Sequence, residues 1–157
     1  MKPVKLIILM CLASFITSAC SALCPPKAPL HKLSFNFDGT IGGNSFEWNI
    51  ERLDDGTGRF VYIDLLSRNR EGLSDTVPAH IMDELEELCR KYKVHRWDGY
   101  RGYNRHICDG SGFSLYIRYR DGRTVNAHGM NKFPRHYREF RDELYLLFEP
   151  IQDKLTE

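Results

Sequence analysis

The chain lacks the spacings that preorganise a metal ion. Five residues of ligand type, His95, His106, Cys108, Asp109 and His128, are present, but no two stand at i, i+4 and no cysteines form a CxxC pair, so no zinc motif is assembled. It also lacks a nucleophile elbow. Asp109-Gly110-Ser111-Gly112 superficially resembles G-x-S-x-G, yet Asp109 and Phe113 occupy the two glycine positions and a strand follows, which makes it a turn feeding a strand. Internal repeats, low-complexity tracts and blocks of like charge are absent, and no cofactor signature is found. The formal net charge of +1 gives no electrostatic case for a nucleic-acid partner. What remains is a 157-residue chain, 42% hydrophobic and 12% aromatic, enough for one packed core.

The strongest local signal is at the N-terminus. Lys2 and Lys5 precede the apolar run LIILMCLASFIT, too short for a good transmembrane span, and small residues follow. These are the three regions of an export signal, assigned to residues 1–19 and set apart from the fold. Ile16-Thr17-Ser18-Ala19-Cys20 resembles a bacterial lipobox, in which the cysteine is diacylated and becomes the new N-terminus. Thr17 stands where leucine is commoner, so simple cleavage after Ala19 or Ala22 is the alternative. Several acyl chains on Cys20, an amide-linked palmitate-type chain among them, would hold the protein firmly to a membrane where one chain would not. Loss of Lys2 and Lys5 leaves 20 basic against 21 acidic side chains, a formal −1.

Residues 20–29 read as a lipidated, Pro-rich tether, with Pro25, Pro26 and Pro29 keeping it extended, and residues 30–157 as a single α+β domain. Of the cysteines that survive processing, Cys89 and Cys108 lie inside the domain and are the expected disulfide. A loop of about twenty residues would contribute about 3 kcal/mol. The alternative is that Cys89 is a small core residue on its helix face.

From Leu30 apolar residues alternate with polar ones: Leu33, Phe35 and Phe37, then Phe46, Trp48 and Ile50, then Phe60 to Leu66, separated by Gly- and Asp-rich turns. Val77 to Tyr92 changes to helical period, with Ile81, Met82, Leu85, Leu88 and Cys89 on one face and Pro78 in the first turn. A second hairpin follows. A two-residue Asp121-Gly122 turn would put its apolar sets on opposite faces, whereas a three-residue Arg120-Asp121-Gly122 loop with left-handed Gly122 pairs Ile117 with Val125 and Leu115 with Ala127. The second register puts Tyr116, Arg118, Thr124, Asn126 and His128 together on a polar face. Phe133, Tyr137, Phe140, Leu144, Leu147, Phe148 and Ile151 then mark a last helix, with Pro150 ending or kinking it. The expected fold is a two-layer α+β sandwich of order β-β-β-α-β-β-α: a five-stranded antiparallel sheet with two helices on one face and the other face open to water.

Aromatic and cationic side chains concentrate between Trp97 and His106. Trp97, Tyr100, Arg101, Tyr103, Arg105 and His106, joined by Tyr116, Arg118 and His128 of the polar face, form the candidate binding surface. The competing reading has Trp97 and a tyrosine capping the core and the arginines solvated, with Asp98 and Asp109 either forming local turns or partnering those arginines.

The run W-D-G-Y…N-R-H-I-C-D-G-S-G-F-S-L-Y-I-R-Y-R-D-G-R-T-V-N-A-H-G-M-N-K-F-P-R-H-Y-R-E-F resembles a segment of uncharacterised exported bacterial lipoproteins, over about a third of the chain. The resemblance implies a cell-envelope location and a single α+β domain, and carries no catalytic residues. The functional expectation is a lipid-anchored envelope protein serving as a binding or structural module. Its partners would be a membrane, through the anchor, and an envelope protein or ligand. An envelope hydrolase using His106, Asp109 and His128 is the rival.

Overall fold

The computed structural model describes residues 24–40, 43–107 and 109–157. Cys20, the expected lipidation site, and Cys108 lie outside them. In chain order the elements are β1 Leu30–Asp38, β2 Ser45–Arg52, β3 Gly58–Asp64, β4 Gly72–Val77, helix α1 Ala79–Lys91, a 3-10 turn Val94–Trp97, β5 Arg101–Tyr103, β6 Gly112–Tyr119, β7 Thr124–Met130 and helix α2 Tyr137–Thr156. The described strands form one sheet of order β4-β3-β2-β1-β6-β7-β5. All neighbours are antiparallel except β5, which runs parallel to β7.

The α+β class and the two helices agree with the sequence reading, but the five-stranded antiparallel sheet does not. The sheet has seven strands and is mixed, and two unexpected strands change the element order. Both escape the period-two rule for a physical reason. β4, with sequence GLSDTV, is an edge strand whose residues are mostly exposed and carry no apolar alternation. What holds it is its backbone ladder to β3, from Gly58 opposite Val77 to Ile63 opposite Gly72. β5 is three residues long, too short to show a period. It is fixed by pairing Arg101 with His128, Gly102 with Gly129 and Tyr103 with Met130. Hydrogen bonds from His128 N–H to the Tyr100 carbonyl and from Asn104 N–H to the Met130 carbonyl, each 3.0 Å, close its ends. A side chain at Gly102 or Gly129 would meet the Lys132 carbonyl, so this close crossing of strands needs glycine at both.

The second hairpin takes the three-residue loop. Ile117 pairs with Val125 and Leu115 with Ala127. Gly122, at φ +85°, supplies the left-handed residue, and Tyr119 N–H reaches the Arg123 carbonyl at 2.9 Å.

Both helices pack on the sheet face that carries Leu33, Phe35, Trp48, Ile50, Phe60, Leu115 and Ile117, all at most 2% exposed. α1 buries Met82, Leu85, Leu88 and Cys89, and α2 buries Tyr137, Phe140, Leu144 and Phe148 at helical spacing. Aromatic rings fill the space between layers. Trp48 meets Phe148 edge-on at 5.4 Å and Tyr145 at 4.9 Å, and its indole N–H donates to Gln152 Oε1 at 2.9 Å. Pro150 does not end α2, which runs on to Thr156. Its missing N–H leaves the Leu146 carbonyl without a helical partner. Leu146 is 74% exposed, so water can take that role.

Cys89, 3% exposed beside Tyr119 at the end of β6, has no disulfide partner among the described residues; its expected partner Cys108 lies outside them. Burial pushes the pKa of Cys89 far up, with Glu86 adding to the effect. Among the described residues no helix is long and apolar enough to cross a membrane.

Candidate functional site: the uncovered sheet face

Antiparallel register decides which polar side chains meet on the face that no helix covers. Opposite one another stand Ser34 and Asn49, Asn36 and Glu47, Ser34 and Tyr116, Asn36 and Ser114, Ser114 and His128, and Tyr116 and Asn126. Arg101 joins from β5 opposite His128. Eight of these polar residues, Ser34, Asn36, Glu47, Arg101, Ser114, Tyr116, Asn126 and His128, line a shallow groove of about 450 Å3 that spans five strands. Its floor is the sheet backbone, so the groove rests on a rigid surface.

Local hydrogen bonds orient part of the lining. Ser34 Oγ donates to Asn49 Oδ1 at 2.5 Å, and Asn49 Nδ2 donates to Glu47 Oε1 at 2.8 Å, which ties Glu47 to its neighbour along β2. Arg101 Nη1 donates to the Tyr100 carbonyl at 2.9 Å and lies 3.4 Å from the Asn126 carbonyl. Arg101 makes no ion pair among the described residues. Further along the face, Glu51 lies 3.4 Å from His31 Nε2 and 3.9 Å from Arg118 Nη2. The groove therefore offers cationic Arg101 and anionic Glu47 among amides and hydroxyls, a set suited to a polar ligand held by several hydrogen bonds.

The structure divides the sequence-predicted surface among three places. Arg101, Tyr116 and His128 line the groove, with Arg118 on the same face beside Glu51. Tyr103, Arg105 and His106 are exposed beyond the end of the groove, Tyr103 at 66%. Trp97 is only 5% exposed and packs edge-on against Phe140 at 5.2 Å, while Tyr100 is half-buried against the core on the same side. Trp97 thus caps the helix layer, the competing reading above. Asp98 takes a structural part, its carboxylate accepting the Asn126 N–H at 2.9 Å.

The rings of His106 and His128 have no hydrogen bond or ion pair among the described residues. Nor does any group of three or more His, Cys, Asp or Glu side chains stand together to hold a metal ion there. Ser34, Asn36, Glu47 and Ser114 were missed by the sequence reading. Their signal was present in the alternation of β1, β2 and β6; what was lacking was the order in which strands sit side by side. No family model matches the chain, and no curated protein matches it.

Proposed function

We propose that this chain is a lipid-anchored cell-envelope protein whose α+β domain binds an envelope ligand or protein through the open polar face of its sheet. One observation carries the binding half of this reading: the groove of about 450 Å3 on the uncovered face, lined by polar side chains from five strands, with Arg101 and Glu47 as its charged members. Pockets of this size accept small molecules or a few residues of a partner. The export signal, the lipobox-like Ile16–Cys20 and the Pro-rich tether support the anchored half. The resemblance of the 97–140 region to exported lipoproteins agrees with it.

Two measurements test the proposal. Intact mass of the membrane-extracted mature protein gives a lipid-sized addition on Cys20, and Cys20→Ser releases the protein from the membrane fraction. A photo-crosslinking residue at Tyr116 or His128 gives adducts in intact cells, whereas the same residue at Leu146, on the helix side, gives none. An unlipidated mature chain overturns the anchor. Adducts absent at both sheet positions, or as strong at Leu146, overturn the binding face.

A further inference from the structure

A second cavity, of about 470 Å3, opens on the helix side of the sheet, away from the groove. It lies where α1 ends and α2 begins. Three of its lining cations, Lys93, Arg96 and Arg135, are exposed and have no hydrogen bond or ion pair from their side chains among the described residues. The two carboxylates that α2 brings near are already engaged. Glu143 receives Lys91 Nζ at 2.5 and 2.7 Å and the Tyr92 hydroxyl at 2.5 Å, and Glu139 lies 3.5 Å from His136 Nδ1. Three like charges around one concavity repel one another, and no ion pair among the described residues offsets them.

The backbone adds to this positive field. α2, twenty residues long, begins at His136 with no side-chain cap. Tyr137 N–H is taken by the Pro134 carbonyl and Phe140 N–H by the His136 carbonyl, leaving the Arg138 and Glu139 N–H groups of the first turn without a partner among the described residues. Lys93 and His136, at φ +53° and +63°, are two of the four non-glycine residues held in the left-handed region among the described residues, and both line this cavity. The wall is aromatic. Tyr92 and Tyr100 are half-buried, and the Tyr100 hydroxyl is buried without a hydrogen-bond partner.

We infer that this cleft binds a phosphate-bearing molecule. Lys93, Arg96 and Arg135 would meet the phosphate oxygens, and the apolar or flat remainder would lie on Tyr92 and Tyr100. A phosphate with up to two negative charges and three free oxygens matches two guanidinium forks, an ammonium and a helix N-terminus, where a lone carboxylate would leave most donors unused. The cavity exceeds what a bare phosphate fills, so the ligand carries an organic part, either a soluble phosphate ester or a phospholipid headgroup.

The test uses the full mature chain in phosphatidylcholine nanodiscs and inorganic phosphate as probe, with sodium chloride at equal ionic strength as control. The expected result is a saturable rise in thermal midpoint with phosphate that chloride does not give. The paired substitution Arg96→Ala and Arg135→Ala weakens the apparent affinity at least about tenfold, while Arg59→Ala, an exposed cation on β3, leaves it unchanged. Circular dichroism of the paired variant confirms that it is folded, and Lys at both positions restores part of the affinity. Phosphatidylglycerol nanodiscs separate the two sources. A weaker apparent affinity there means that headgroups compete for the cleft, and equal affinity means a soluble phosphate ester; either sustains the site. No saturable shift beyond chloride, or a shift that survives the paired substitution, overturns it.

Discussion

Trp97 offers a sharp test of the division between core and surface, because a contact residue and a core residue respond oppositely to truncation. Its side chain is 5% exposed, between Phe140 at 5.2 Å and Tyr137 at 6.2 Å. Burying an indole removes roughly 200 Å2 from water, worth about 5 kcal/mol at about 25 cal/mol per Å2 before the share that alanine keeps. The edge-on ring contact adds about 1 kcal/mol. Trp97→Ala should therefore destabilise the domain by about 3–5 kcal/mol, in line with other buried aromatic truncations. With an m-value of about 2 kcal/mol per M, the urea midpoint falls by about 2 M. Far-UV circular dichroism is the suitable probe, and Trp48 remains as an independent fluorescence reporter. The contrast is Tyr103→Ala, at a residue 66% exposed, which should stay within about 0.5 kcal/mol of the parent. A Trp97→Ala protein whose midpoint moves by less than about 0.3 M would refute the placement of Trp97 in the core.

Three other expectations follow from the same packing. Cys89, buried and with its pKa pushed up by desolvation, should resist alkylation in the native protein and react fully in denaturant; rapid native labelling would contradict its burial. Gly122→Ala places a Cβ at φ +85° in open space in the bulged loop and should lower stability by about 1 kcal/mol in denaturant unfolding through backbone strain alone; an unchanged midpoint would argue against the left-handed bulge. Glu143 has its pKa lowered from 4.5 by hydrogen bonds from Lys91 and then Tyr92, so its contribution is fully present above about pH 4.5 and is lost as pH falls through the depressed folded value. Glu143→Gln should accordingly flatten the acid limb of the stability–pH curve, and an unchanged limb would argue against the Lys91–Glu143–Tyr92 cluster.

Long periodic segments were legible in the sequence. Leu33, Phe35, Trp48, Phe60 and Ile117 declare their strands by alternation, and the loop of Arg120, Asp121 and Gly122 could be derived because only one register keeps Leu115 and Ile117 on the same face as Val125 and Ala127. Elements held mainly by backbone pairing were not legible. β4 shows no apolar alternation and β5 has three residues, so neither leaves a mark in composition. The candidate groove was half visible for a related reason. Tyr116, Asn126 and His128 belong to one hairpin and can be aligned locally, but Ser34, Asn36 and Glu47 reach them only because β1 lies between β2 and β6. The phosphate cleft was hidden more deeply, since Lys93 and Arg96 are separated from Arg135 by three strands of chain.

The two borders of the sheet are finished differently. Beside β7, the short parallel β5, the Asp98 carboxylate on Asn126 N–H and the Gly99 N–H on the Asn126 carbonyl occupy the outward groups of the last strand. Beside β4 no further strand pairs among the described residues, only Thr76 N–H is taken, by the Asp75 carboxylate at 2.7 Å, and Leu73 is 40% exposed. The sheet therefore offers a six-residue edge at β4 and only a three-residue edge at β5, too short to template a further strand. Should two copies meet at β4, the pairing is two-fold, a continuous sheet bounded at both ends by the three-residue β5, which blunts growth beyond the pair.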